Sequence, residues 1–409
     1  MSDTRLTDTD ELRPTDTDQL REVTETLSPL KRRAGSADER RAAEWLAERL
    51  RRAGADAQVE AVGFYDGYAG ELLPLAGIGL ACGAYALTVR RSLLAATLAG
   101  VASAAIADDV ANGRRPWRRL LNRRKTTTNV VAAIGDPATA ADTLVVLAHH
   151  DAAPTGHAFD PRLQQAVARL APGLLQRINT SIPLFWPVIA APAVVALGAL
   201  TGRRAVTAAG MAATAVVGLV GVDIARSPVV PGANDNLSGV AALVGVAEAL
   251  RVAPAPPGVA VLLVSLGAEE VLQGGVYPFV EKHLARLDRR RTWVLNLETV
   301  GSPHLVMLEG EGVTRMEDYT DPSWRDRVAA TAAEAGVALI RGQRSRSSTD
   351  SVVTSRAGYP TATLTSFDPV TKLLTNYHLM SDLPEHLTYE TIRSAVTVAV
   401  GLARGMGRG

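Results

Sequence analysis

The chain is short of cysteine, of net charge and of a secretory leader, and each shortage narrows what it can be. One cysteine, Cys82, among 409 residues excludes an intramolecular disulfide framework and leaves any bound metal to histidine and carboxylate ligands. With 43 Lys and Arg against 42 Asp and Glu, the formal charge is only +1, so no nucleic-acid partner gripped by bulk electrostatics is expected. Residues 1–20 are a polar run of Thr, Asp and Arg, without the apolar core of a signal peptide, and read as a disordered tail.

Two regions lack charge instead. Residues 72–89 with 92–107, and 184–200 with 205–222, are almost free of Asp, Glu, Lys and Arg, and each pair reads as a helical hairpin. The hairpins turn at Arg90-Arg91 and Arg203-Arg204, and a dense basic stretch follows the first: Arg114, Arg115, Arg118, Arg119, Arg123, Arg124 and Lys125. Residues 92–107 are shorter than the roughly 20 needed to cross a bilayer, and soluble hairpins rich in Ala and Gly share this composition. Four charge-poor segments arranged in pairs nevertheless point to lipid, where small residues allow close helix packing. The larger basic cluster then places the bulk of the chain, outside the hairpins, on the cytoplasmic side of the cell membrane, with the chain multi-pass.

Around these insertions, strands alternate with helices. Residues 58–64, 129–134, 143–149, 259–266, 292–298, 304–308 and 361–365 are β-rich, and 38–53, 238–250, 276–287, 323–335 and 389–404 carry helical periodicity. The expected fold is α/β, a mixed, mostly parallel sheet sandwiched by helices. One discontinuous domain, 21–409, is interrupted by apolar hairpins at 71–108 and 183–223.

Five sites carry candidate chemistry. An apolar strand ends in His149, His150 and Asp151, and alternation puts His149 and Asp151 on one side, one to bind metal and the other to orient a neighbouring ligand. A Gly/Asn/Asp turn puts Asp235 near a helix start, either as a cap or as a carboxylate bridging two metals. A buried strand ends in Glu269 and Glu270; adjacent acids repel, a conflict resolved if one is a ligand and the other a general base. Glu298 ends another strand, and Tyr377, His378 and Asp382 lie in a loop before the final helix. Taken singly, these are also what solvated histidines, helix caps and exposed helix-start acids look like.

In their order, however, they resemble the co-catalytic zinc aminopeptidases of the MH clan, a family that also contains glutamate carboxypeptidases and glutaminyl cyclases. The family pattern is His-x-Asp, Asp-x-x-Ser-Gly, Glu-Glu, an Asp after a strand and Tyr-His; this sequence supplies, in that order, His149 and Asp151, Asp235 with Ser238 and Gly239, Glu269 and Glu270, Glu298, and Tyr377 with His378. The resemblance runs from about Leu20 to the C-terminus outside the hairpins. It implies two Zn²⁺ per chain, one held by His149 and Glu298, the other by Glu270 and His378, with Asp235 bridging. It also implies that Glu269 is the base, that Tyr377 hydrogen-bonds the oxyanion, and that Asp350 shapes the substrate pocket. The implied function is removal of N-terminal residues from peptides or aminoacyl conjugates beside a lipid bilayer.

Two departures stand out. Glu298 occupies a position where the family usually has Asp, and the span from His150 to Asn234 is far longer than the family needs. Competing readings are an inactive membrane receptor or scaffold, marked by lost ligands; a one-zinc glutaminyl cyclase, which would not need the His149 and Glu298 pair; and a transporter, disfavoured by the uncharged hairpins.

Overall fold

The computed structural model describes residues 17–67, 69–173 and 177–407. In chain order the described elements are α1 (Thr17–Leu27), α2 (Ala37–Arg52), β1 (Asp56–Tyr65), α3 (Ala69–Val89), α4 (Leu93–Val110), α5 (Pro116–Leu121), β2 (Arg124–Ile134) and β3 (Asp142–His149). These are followed by α6 (Arg162–Leu170), α7 (Trp186–Thr201), α8 (Arg204–Arg226), α9 (Ser238–Val252), β4 (Val259–Leu266), α10 (Val276–Lys282) and β5 (Thr292–Leu297). The last are β6 (His304–Glu311), β7 (Glu317–Asp318), α11 (Pro322–Glu334), β8 (Ile340–Ser345), α12 (Asp350–Arg356), β9 (Thr361–Phe367) and α13 (Tyr389–Gly405).

The nine strands form one mixed sheet in the order β1-β2-β4-β3-β5-β9-β6-β7, with β8 also on β6. Its centre, β4-β3-β5-β9, is parallel, and the flanking strands β2 and β6 run antiparallel to it. Central β3 and β4 are nearly continuous apolar runs because helices cover both of their faces. Along β3, Leu144, Val146 and Ala148 enter one core with α1, α2, α9 and α13, while Val145 and Leu147 enter the other with Phe279, Val352 and Val353. The parallel strands end together, so the segments after β3, β4 and β5 meet at one rim, where ligands of such sheets commonly bind.

α2 begins where the Ser36 hydroxyl accepts the Glu39 N–H, and it ends with Arg49, Arg51 and Arg52 in the last turn, both favourable to the helix dipole. The tail expected through residue 20 ends sooner. Residues 1–16 lie outside the described residues, and Thr17 begins α1, whose Leu20, Val23 and Leu27 are buried on the first core. Asp350 opens the helix α12, capped by the Thr349 hydroxyl.

Both insertions are helical hairpins, α3 with α4 and α7 with α8, and they pack into a four-helix bundle. Cys82, Ala86, Ala95, Ala99, Val195 and Ala199 form its interior. The two turns meet at the far end, where Ser92 N–H donates to Ala199 O at 3.0 Å. A Cβ on Gly210 would sit 2.5 Å from the Val195 backbone N, so α7 and α8 approach closely only because that residue is glycine.

α3, α4 and α8, with 21, 18 and 23 residues, are long and apolar enough to cross a membrane. α7, with 16 residues, reaches only about 24 Å, against a hydrocarbon core of about 30 Å. Leu93, Leu94, Val216 and Leu219 point outward and are exposed. An apolar surface of this kind is expected to hold the protein in the membrane fraction until detergent is added. Recovery of a stable monomer from the aqueous fraction without detergent would overturn this.

The basic stretch behaves differently from its sequence reading. Arg115 and Arg118 turn inward: Arg118 makes a bidentate pair with Asp109 at 2.7 and 2.8 Å, and Arg115 donates to Leu272 O at 2.8 Å. Burial in α4 gives Asp109 a need for cationic partners, which takes two arginines away from the surface. Arg114, Arg119, Arg123, Arg124 and Lys125 remain exposed.

Candidate metal centre

At the end of β3, His149, His150 and Asp151 are all fully buried, and pleating sends the middle one away from the other two. His150 Nδ1 pairs with Ser265 Oγ at 2.9 Å, and burial pushes its pKa down to about 4, so it stays neutral. His149 Nε2 lies 3.2 Å from Asp235 Oδ1 and 3.2 Å from Glu298 Oε1. Asp151 accepts the Glu269 N–H at 3.0 Å and the Glu270 N–H at 3.2 Å, and its Oδ1 lies 3.4 Å from His149 Nδ1. One carboxylate thus joins the ends of β3 and β4 and orients the His149 ring.

Asp235 lies in the turn before α9 and is joined to Asn236 by a cis peptide bond. The Asp382 carboxylate accepts the N–H groups of Asn234 at 2.7 Å and Asp235 at 3.1 Å, which fixes the turn. The second Asp235 oxygen, Oδ2, is 3.1 Å from His378 Nε2, and that nitrogen is 3.2 Å from Glu270 Oε2. His149, Asp235 and Glu298 form one potential metal-binding group; Asp235, Glu270 and His378 form another.

The donor set fits zinc. Two ligands about 2.0 Å from a tetrahedral ion are separated by about 3.3 Å, close to the 3.1 to 3.2 Å found here. The charges require a cation as well. Asp151, Asp235, Glu269, Glu270, Glu298, Glu311 and Asp350 are all buried, seven carboxyl groups against His149, His378 and the buried Arg32, whose guanidinium acts on Asp151, Asp235 and Glu270. Burial, aided by Glu298, Asp350 and Glu270 and opposed by His149, pushes Glu269 well above the usual carboxylate range. Burial also raises Glu270. Burial disfavours charge on His378, yet Glu270 and Asp235 outweigh it and push the imidazole up to about 10. A bound cation reverses this logic, stabilising the carboxylates and taking the histidines as neutral ligands.

Glu269 belongs to neither group of ligands. Its Oε1 accepts from Gln273 Nε2 at 3.0 Å, while the residue lines a cavity of about 210 Å³ together with Glu270, Tyr377 and His378. The Tyr377 ring stacks on His378 with centroids 4.0 Å apart. Asp350, expected to shape the substrate pocket, is fully buried and has no hydrogen-bond partner for either oxygen. It is absent from the cavity lining. Instead it acts electrostatically on His149 and Glu298 from behind.

The profile described as Peptidase family M28 matches residues 219–403, the segment that contains Asp235, Glu269, Glu270, Glu298, Tyr377 and His378. The similarity to peptidase family M28 thus covers the C-terminal part of the chain, including all of these residues. No curated protein matches it in sequence. Among solved structures, it is similar to a Zn-dependent exopeptidase from Parabacteroides distasonis, at 13% identity and a TM-score of 0.55, with 96% of this chain and 99% of the other covered. It is also similar to a glutaminyl cyclase from Tannerella forsythia, at 15% identity and TM-score 0.56, covering 96% and 99%. A third likeness is to a leucine aminopeptidase precursor from Bacteroides thetaiotaomicron, at 14% identity and TM-score 0.53, covering 97% and 99%. At these identities the likeness shows a shared fold.

Two residues that matter to the site escaped the sequence reading. Gln273 holds Glu269 and accepts from Asn112, just beyond α4, at 2.7 Å. Arg32 is fully buried and donates to Leu27 O at 2.7 Å, His150 O at 2.9 Å, Pro231 O at 2.9 Å and Gly232 O at 3.1 Å. It ties the His149 and Asp235 segments together. Its partners are carbonyls, which no side-chain pattern reveals. Leu27 O and Gly232 O also accept backbone N–H groups, so Arg32→Leu strips the donor from the carbonyls of His150 and Pro231, at about 1 to 3 kcal/mol each, and is expected to lower the thermal midpoint and weaken zinc binding together. An unchanged midpoint with full zinc content would show that Arg32 is dispensable.

Proposed function

We propose that this chain is a membrane-inserted aminopeptidase of the M28 type that uses two zinc ions and Glu269 as its general base. The observation that carries the reading is that two buried ligand groups share the two oxygens of Asp235, while Glu269 stands outside both and lines the cavity. When bound, the ions polarise the scissile carbonyl and lower the pKa of the attacking water. Glu269 Oε2 takes a proton from that water and delivers it to the leaving nitrogen as the C–N bond breaks, so one water is consumed per amide. Gln273 holds the other oxygen of this carboxylate. Asp151 orients His149, Tyr377 donates to the developing oxyanion, and Asp350 supports the pocket from behind the ligands.

The same reading places the chain as a multi-pass protein of the cell membrane, made of one discontinuous domain and two inserted hairpins. Five exposed basic residues at the catalytic end, against Arg90, Arg91, Arg203 and Arg204 at the turns, favour a cytoplasmic catalytic domain. The deciding assay gives purified, zinc-loaded protein aminoacyl amides, carboxypeptidase substrates and N-terminal glutaminyl peptides. Release of free N-terminal amino acids is expected. Cyclisation of glutaminyl peptides without hydrolysis of the other substrates would replace the aminopeptidase by a cyclotransferase.

A further inference from the structure

The cavity beside Glu269 does not end at the peptidase domain. From Glu269, Glu270 and His378 it continues between the two hairpins, where Leu72, Ile106, Val188, Val220 and Ile224 form its walls. α3, α4, α7 and α8 all contribute to it, although none carries a residue of either ligand group. The insertions therefore extend the binding site without building the metal centre.

We infer that the substrate's amide is joined to a long alkyl or acyl chain, which lies between the hairpins while the amide sits beside Glu269. This rests on the proposed amide hydrolysis and adds the chemistry of the substrate's other half. The wall is unsuited to a charged peptide end, because burying an unpaired charge among apolar side chains is costly. The two carboxylates in the wall, Glu71 and Asp109, already have guanidinium neighbours. Arg118 pairs with Asp109 at 2.7 Å and lies 3.8 Å from Glu71, and Arg115 lies 3.9 Å from Asp109. Arg118 compensates Asp109 directly, while the Glu71 oxygens have no hydrogen-bond partner among the described residues, so this end of the wall is polar and the apolar lining lies beyond it. The outer faces of the bundle are also apolar, with Leu94 and Leu219 exposed, and a bilayer that covers them is where chain-bearing amides concentrate.

Each buried methylene strengthens binding by up to about fourfold, so chain length is the variable to test. The protein is reconstituted in phosphatidylcholine vesicles and given two series of increasing chain length, aminoacyl alkylamides and N-acyl amino acids. KM is expected to fall by about two- to fourfold per methylene until the cavity is full. Val188→Trp and Val220→Trp should flatten that dependence, whereas Leu219→Trp, on the outer face of α8, should keep it. A chain-length dependence found only in the N-acyl series upholds the chain site and overturns the aminopeptidase reading. Turnover independent of chain length, or dependence equal in all three variants, overturns the chain site and leaves amide hydrolysis standing. No turnover in either series overturns both. Should the tryptophan variants fail to fold, a diazirine at the end of the chain decides the matter in the wild-type protein. Labelling of Leu72, Ile106 or Val188 is expected, and labelling confined to outer faces of the bundle overturns the inference.

Discussion

Glu269→Gln is expected to lower turnover about 10²- to 10⁴-fold, the usual contribution of a positioned proton acceptor, while both zinc ions remain bound. The substitution keeps the shape of the side chain and removes its basicity. Neither group of ligands includes Glu269, so metal content should not change. The carboxylate is deeply buried among other acids, and Gln273 steadies one oxygen, so a glutamine amide can rotate to keep that contact through its carbonyl oxygen. Measuring kcat beside zinc per chain separates the base from a ligand. Near-normal kcat would remove Glu269 from the chemistry, and loss of zinc would make it a ligand. Gln273→Ala should give a smaller fall in kcat, through looser placement of the same carboxylate.

Asp235→Ala has the other large expected effect: zinc falls toward none per chain and activity is lost with it. Asp235 Oδ1 faces His149 and Oδ2 faces His378, so one truncation strips a donor from both candidate ligand groups, and on the proposed two-zinc reading both ions are weakened. Glu298→Ala removes a ligand from one group alone and should leave about one zinc per chain, as should His378→Ala for the other group. Elemental analysis of the three purified variants gives a direct comparison. Equal zinc content in Asp235→Ala and Glu298→Ala would mean that Asp235 does not bridge. Glu298 also tests the departure from the family's usual Asp. Its longer side chain still brings Oε1 to 3.2 Å from His149 Nε2, so Glu298→Asp is expected to weaken that ion's binding by withdrawing the carboxylate.

The sequence by itself determined the chemistry that the site can hold and the strands that bring it there. His149, Asp235, Glu270, Glu298 and His378 were legible as candidate donors because metal ligands belong to a short menu of residue types, and because β3, β4 and β5 are apolar runs whose ends are marked by polar residues. The hairpins were legible because uninterrupted loss of charge is a local property. What lay beyond the sequence is everything set by distances across the fold. Asp235 turns one oxygen toward each histidine, and Glu269 stays outside both groups although it adjoins Glu270. Asp350 comes to rest behind the ligands, away from the cavity lining. Arg32 reaches Gly232 across 200 residues of chain, and Arg118 turns from the surface to Asp109. Most consequential, the cavity is closed by helices from two insertions that are far apart in sequence. Periodicity and composition report which side of its own element a residue occupies; only packing the elements together decides which residues face one another across the space between them.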